Sequence, residues 1–118
     1  MVTLHVALGV TVIVVCVASG ALAFVAYRRS GSGGAFVSHA LVLAQTLLIA
    51  QAAVGLLLLS DGHRAPEKLH YTYGALALGL VLVPWFYAPS VGSKRLLWFA
   101  VTTLVAGALA VRAFMSGS

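Results

Sequence analysis

Four stretches of this chain are each long and apolar enough to cross a bilayer as a helix, and very little lies between them. A hydrocarbon core about 30 Å thick needs about 20 apolar residues of helix. Residues 4–27, 36–59, 70–88 and 96–114 meet that length. The connections are short: 28–35, 60–69 and 89–95. Short links force consecutive helices to run antiparallel. The expected fold is therefore an all-α membrane protein, a four-transmembrane-helix bundle running up-down-up-down. A chain of 118 residues makes one such domain, residues 1–118, and its halves show no internal repeat.

Composition closes off the other classes. Apolar residues make up 62% of the chain and charged residues 8%. Soluble domains carry roughly 45–50% and about 25%. An ordinary soluble enzyme, a disordered tail and a nucleic-acid-binding module are excluded. The net charge of +5 comes from seven basic and two acidic side chains. These form no basic face long enough to track a phosphate backbone, so no nucleic-acid partner is expected. The single cysteine, Cys16, excludes an internal disulfide and a paired-cysteine metal motif, and it suits a small packing residue.

The charges orient the spans. Arg28 and Arg29 follow the first, and Lys94 and Arg95 separate the third from the fourth. The middle connection mixes Asp61, Arg64, Glu67 and Lys68. By the positive-inside rule the first and third connections face the cytoplasm, and both termini face outward. The expected location is a prokaryotic-type cytoplasmic membrane. Phe24, Tyr27, Phe36, Trp85, Phe86, Tyr87, Trp98 and Phe99 then form a belt at the inner interface. Ala21-Leu22-Ala23 has the form of a signal-peptide cleavage site, but no Lys or Arg precedes it and the apolar run is long. A span is the expected reading.

An ionisable side chain in a span is a functional hypothesis by default. At 1.5 Å per residue, His5 stands about 35 Å from Arg28 and His70 about 36 Å from Lys94. Both are expected at one height near the outer face. Spans 1 and 3 run the same way and sit diagonally in a simple bundle. Two imidazoles at one depth can be the axial ligands of a haem iron. Gly9 and Gly74 follow these histidines by one helical turn, where a porphyrin needs missing side chains. The rival reading is that the small residues serve helix contacts and the histidines sit among headgroups. His39 lies about 25–30 Å below the pair. It is expected as a helix-start residue at the interface, with a second pigment or haem as its other use. His63 is expected in the outer loop.

Gln45 and Gln51 lie inside span 2. Amides at such depth turn into the bundle and bond across helices. In its functional version Gln51 borders a cofactor or quinone pocket, with Gly55 one turn on allowing close approach. Arg112, near the outer end of span 4, either pairs with haem propionates or snorkels to headgroups. Arg64 and Lys68 could assist it from the loop. Pro84 is expected to kink span 3. The run RRSGSGG at 28–34 is a flexible turn and lacks the setting of a phosphate loop. No Ser/His/Asp set and no intramembrane carboxylate is present, so acid–base chemistry in the membrane has no group to use.

These residues resemble one half of the heme A synthase family, in which two fused four-helix bundles each carry a pair of histidines able to ligate haem. LHVALGV opens span 1, which ends in YRR. AQTLLIAQAAVGLLLL is similar to the family's Gln-x-x-x-Gly helix, and LHYTYGALAL opens span 3 like its second histidine helix. The resemblance covers residues 4–82. It implies haem ligation by His5 and His70. His5 is followed by Val6 rather than Arg and has no acidic neighbour, so it implies a haem-holding bundle rather than the family's hydroxylation of a haem methyl group.

The expectation from sequence is thus a small b-type cytochrome-like membrane protein. One haem b lies near the outer face, with its iron on His5 and His70 and with Gly9, Gly74, Gln51 and Arg112 around it. Its job would be electron transfer, with quinol and a larger membrane complex as candidate partners. The alternative is a haem-free or pigment-binding accessory subunit of a respiratory or photosynthetic complex. A haem-modifying enzyme would need a carboxylate from another chain. A transporter is disfavoured by the lack of an intramembrane charge pair and of an inverted repeat.

Overall fold

The computed structural model of the chain describes residues 2–90 and 92–117. Among the described residues there are helices and turns and no strand. The elements are α1 (Val2–Arg29), α2 (Gly34–Ser60), α3 (Leu69–Leu82), the short α4 (Pro84–Tyr87) and α5 (Ser93–Ser116). Four helical stretches, with α3 and α4 counted together, are long and apolar enough to cross a membrane.

α1 is helical through Val10-Thr11-Val12-Ile13-Val14-Val15, a β-branched run that favours strand in water. A helix satisfies every backbone group within the segment, which is what an apolar surrounding demands. Side-chain hydroxyls follow the same logic. Thr11 donates to the Ala7 carbonyl at 2.9 Å, Ser19 to Val15 at 2.6 Å and Thr46 to Val42 at 2.9 Å. Each bond hides a polar group against its own helix.

The helix ends have identifiable causes. α1 stops where Gly31 takes φ 74°, with its N–H on the Ala26 carbonyl at 3.1 Å. α2 closes with paired bonds from Gly62 to Leu59 (3.1 Å) and from His63 to Leu58 (2.9 Å), Gly62 having φ 90°. That pattern is the left-handed glycine cap. The break expected at Pro84 is present: proline has no N–H to give, α3 ends at Leu82, and Val83 reaches both Gly79 (3.1 Å) and Leu80 (3.2 Å).

α1 and α3 each pack on α2 and α5, and among the described residues their own backbones nowhere approach within 8 Å. The assembly is 47 Å long and 23 by 19 Å across. The interior combines a few larger side chains, among them Val12, Leu41, Leu48, Val81 and Phe99, with many small or polar residues. Cys16, Ser19, Gly20, Ala44, Ala77, Thr103, Ala106 and Gly107 are buried, whereas Leu4, Val14, Leu43, Ile49, Leu56 and Leu76 are exposed. Small residues let helix backbones approach closely. α1 and α5 use this most: a Cβ on Gly20 would lie 2.7 Å from Leu104 Cγ, and one on Gly107 would lie 3.2 Å from Cys16 Cβ.

Candidate functional site

His5 lies in the first turns of α1, and His70 is the second residue of α3. The helices are too far apart for backbone contact, yet the two rings span the gap. Their centroids are 6.0 Å apart and their planes cross at 78°. His70 is held firmly. Its Nδ1 lies 2.6 Å from the Ala113 carbonyl oxygen on α5. A carbonyl only accepts, so Nδ1 carries the proton and the lone pair of a neutral ring is on Nε2. Gly117 closes over the same ring, so tightly that a Cβ there would lie 2.7 Å from Nδ1. Tyr71 stands edge-on to His70 at 5.9 Å and accepts the Ala65 N–H at 2.8 Å, tying the connection to the site.

His5 is held differently. Its ring lies over Gly55 of α2, where a Cβ would sit 3.2 Å from Cε1. Gln51, one turn before Gly55, donates Nε2 to the His5 carbonyl oxygen at 2.8 Å. That bond joins residues far apart in sequence and fixes the start of α1. Two buried atoms there have no hydrogen-bond partner among the described residues, His5 Nδ1 and Gln51 Oε1.

The two glycines expected as a porphyrin cradle behave differently. A Cβ on Gly9 would meet Gln51 Nε2 at 3.1 Å and Phe114 at 3.7 Å, so that side is filled by the amide that ties α1 to α2. Gly74 has no described atom within 4 Å of the corresponding position. Arg112 is exposed and lies over the Tyr73 ring at 5.5 Å. It lines a hollow of about 150 Å3 with Glu67, Tyr73 and Ser116, and neither histidine is among the lining residues. Arg64 caps α2 by donating to the Leu59 carbonyl at 2.8 Å. His39 and His63 are exposed, and Cys16 is buried with a free thiol.

Among the described residues no group of three or more His, Cys, Asp or Glu side chains could hold a metal ion. Two imidazoles alone make a poor site for a free cation such as zinc, which takes four ligands. They suit an iron whose other ligands come from a macrocycle. The orphaned His5 Nδ1, the side-chain-free Gly55 beneath it and the open face at Gly74 fit such a group; the filled face at Gly9 requires Gln51 to yield.

The opposite end carries a cluster that sequence reasoning assembled only in part. Gln45 Oε1 accepts from Trp85 Nε1 at 2.8 Å. Trp85 meets Phe99 edge-on at 5.3 Å. The Arg95 guanidinium lies 5.4 Å from the Trp85 ring and 5.1 Å from that of Phe99, and it reaches the Pro89 carbonyl at 3.3 Å. Beside them opens a cleft of about 560 Å3, lined by the 31–34 turn, α2 and the start of α5. The sequence flags Gln45 as a cross-helix amide and Pro84 as a break, but not that the break brings Trp85 onto Gln45.

No family model, curated protein or solved structure matches this chain.

Proposed function

We propose that this chain is a small membrane-embedded b-type haem protein that transfers electrons, with the haem iron held between His5 and His70. In this reading the helices run up-down-up-down through a prokaryotic-type cytoplasmic membrane. The arginine end faces the cytoplasm and both termini face outward, as four basic residues in two connections favour. The observation that carries the proposal is the meeting of two imidazoles from separate helices at 6.0 Å, one with its proton committed to a backbone carbonyl.

When bound, a haem supplies one-electron chemistry that no side chain here offers. The protein's part follows from its own geometry. The Ala113 carbonyl fixes the orientation of the His70 ring and the nitrogen it would present as a ligand. Gln51 sets the height of His5 through its backbone, and Gly55 lets the ring lie flat on α2. Gln51 Oε1 is left as an acceptor beside the pair. A site at one end of the bundle passes electrons to a redox partner or takes them from a quinol; it does not carry them across alone. Haem hydroxylation has no support, since both carboxylates of the chain, Asp61 and Glu67, lie in the 61–68 connection.

The test is a reduced-minus-oxidised optical spectrum of the chain purified with haem available, beside His5→Ala and His70→Ala. A bis-histidine b-type spectrum lost in both variants is expected. A folded but colourless wild type overturns the proposal and leaves the haem-free accessory subunit.

A further inference from the structure

We propose that the cleft at the arginine end is a binding site for a phosphate group, supplied by the headgroup of an acidic lipid. Two helix N-termini converge there. α2 begins at Gly34 and α5 at Ser93, and a Cβ on Gly31 would lie 3.1 Å from Ser93 Cβ, so the two turns touch. Neither N-terminus has a side-chain cap, and neither has an acidic residue in its first turn. Uncapped N–H groups and the positive ends of two helix dipoles thus face one opening. Such termini are ready-made anion sites.

A second, independent observation points the same way. Gln45 lines the cleft and is only 6% exposed. Its oxygen is taken by Trp85, and its buried Nε2 has no partner among the described residues. Gln45 stands eleven residues, about 16 Å of helix, beyond the start of α2, so its amide would meet a lipid ester carbonyl below the phosphate and not the phosphate itself, and that acceptor would recover the cost of the unpaired donor. Arg95 lines the same cleft, and its other N–H groups remain for an oxyanion once Pro89 has one. No carboxylate competes, because Asp61 and Glu67 belong to the far end. A volume of about 560 Å3 exceeds a lone anion and suits a headgroup, while Leu41, Val42 and Leu96 give its wall an apolar lower part. Basic pockets between membrane helices at the cytoplasmic face take anionic headgroups in this way. The inference rests on the membrane-spanning reading and is independent of the haem.

The experiment titrates the whole chain in neutral detergent with phosphatidylglycerol, with phosphatidylcholine of equal chain length and with inorganic phosphate. Thermal unfolding and native mass spectrometry are the readouts. Phosphatidylglycerol is expected to be retained and to raise the unfolding temperature, and the other two to do neither. Gln45→Glu keeps an acceptor for Trp85 and places a negative charge in the cleft. It and Arg95→Gln are each expected to weaken phosphatidylglycerol about tenfold. Arg95→Lys should retain part of the affinity. Arg29→Gln removes the same charge from the end of α1, outside the cleft, and should leave binding unchanged. The proposal fails if phosphatidylcholine or free phosphate matches phosphatidylglycerol. It fails equally if Arg29→Gln costs as much as Arg95→Gln, or if both cleft variants bind normally. The haem spectrum read on the same samples separates this failure from that of the histidine site.

Discussion

The two ends of the bundle each use one amide of α2, and they use it with opposite polarity. Gln51 spends its N–H group on the His5 carbonyl and leaves an oxygen unpaired. Gln45 gives its oxygen to Trp85 and leaves an N–H group with no partner among the described residues. The histidine end therefore presents the Gln51 Oε1 lone pairs and the Nε2 edge of His70. The arginine end presents donors: Gln45 Nε2, Arg95 and two uncapped helix starts. Lone pairs suit a metal centre and donors suit an anion. The ends also differ in closure. Gly9, Gly55 and Gly117 are each covered by a neighbouring side chain at the histidine end, whereas the arginine end is already open. A ligand at the first must displace or pry apart what is there, and a ligand at the second need only enter.

The largest expected effect removes the comparison altogether. Both ends depend on the close α1–α5 contact, and Gly20→Leu would drive a side chain into Leu104, whose backbone N lies 3.2 Å from the Cβ position. Overpacking of this kind costs about 1–3 kcal/mol, and more where backbone stands in the way. Thermal unfolding in detergent should fall steeply, and the haem and lipid responses should fall with it. Retention of either would show that one end forms without the α1–α5 seam.

Gly117→Val separates the ends. Gly117 has φ −92°, so valine meets no backbone penalty there, but its Cβ would lie 2.7 Å from His70 Nδ1. Either the ring leaves the Ala113 carbonyl or the last turn of α5, which carries that carbonyl, shifts; both disturb the bond. Loss of such an orienting bond to a ligating histidine costs about 10–100-fold in metal affinity. Haem retention measured by the Soret-to-protein absorbance ratio should drop accordingly, with the phosphatidylglycerol response unchanged.

The fold was more legible than the sites, and particular residues show why. Apolar length marks the four spans because each must hold its own backbone bonds, whatever its β-branched content. Depth along a helix is additive, so His5 and His70 could be set at one height by counting. The surroundings of that pair could not. Gly9 reads as empty space in sequence, yet the amide that fills it comes from Gln51 on another helix. Arg112 reads equally as a propionate partner or as a snorkelling side chain, and its place over the ring of Tyr73 is not visible in spacing. The cleft at the other end is a product of turn geometry. Gly31, Gly34 and Gly92 take positive φ and fold two turns together, and Pro84 redirects Trp85. None of this follows from hydropathy or spacing.

Gln51→Leu tests the histidine end more gently. The substitution keeps volume and removes the bond to the His5 carbonyl. Interhelical hydrogen bonds of this type are worth about 0.6 kcal/mol on average and about 1–2 kcal/mol in model peptides. A small drop in unfolding temperature is expected, together with a shift in the haem midpoint potential as His5 relaxes on Gly55. A drop in stability without a change in potential would mean that Gln51 braces the helices and does not set the ligand.

The smallest effect belongs to the other amide. Trp85 is 52% exposed, so its ring gains little by burial, and its polar tie is the single bond from Nε1 to Gln45. Trp85→Phe keeps an aromatic face for Arg95 and for Phe99 while deleting that donor. The expected cost is about 0.6 kcal/mol, near the average for such bonds between membrane helices. The informative readout is the lipid response. With Trp85 gone the Gln45 amide is free to turn, and it can then offer its oxygen to the cleft instead of its N–H group. Phosphatidylglycerol affinity should fall by more than the stability does, because the bond to Trp85 is what commits the amide to the donor orientation. Equal losses would reduce Trp85 to a packing residue and leave Arg95 and the helix starts as the only groups that give the arginine end its polarity.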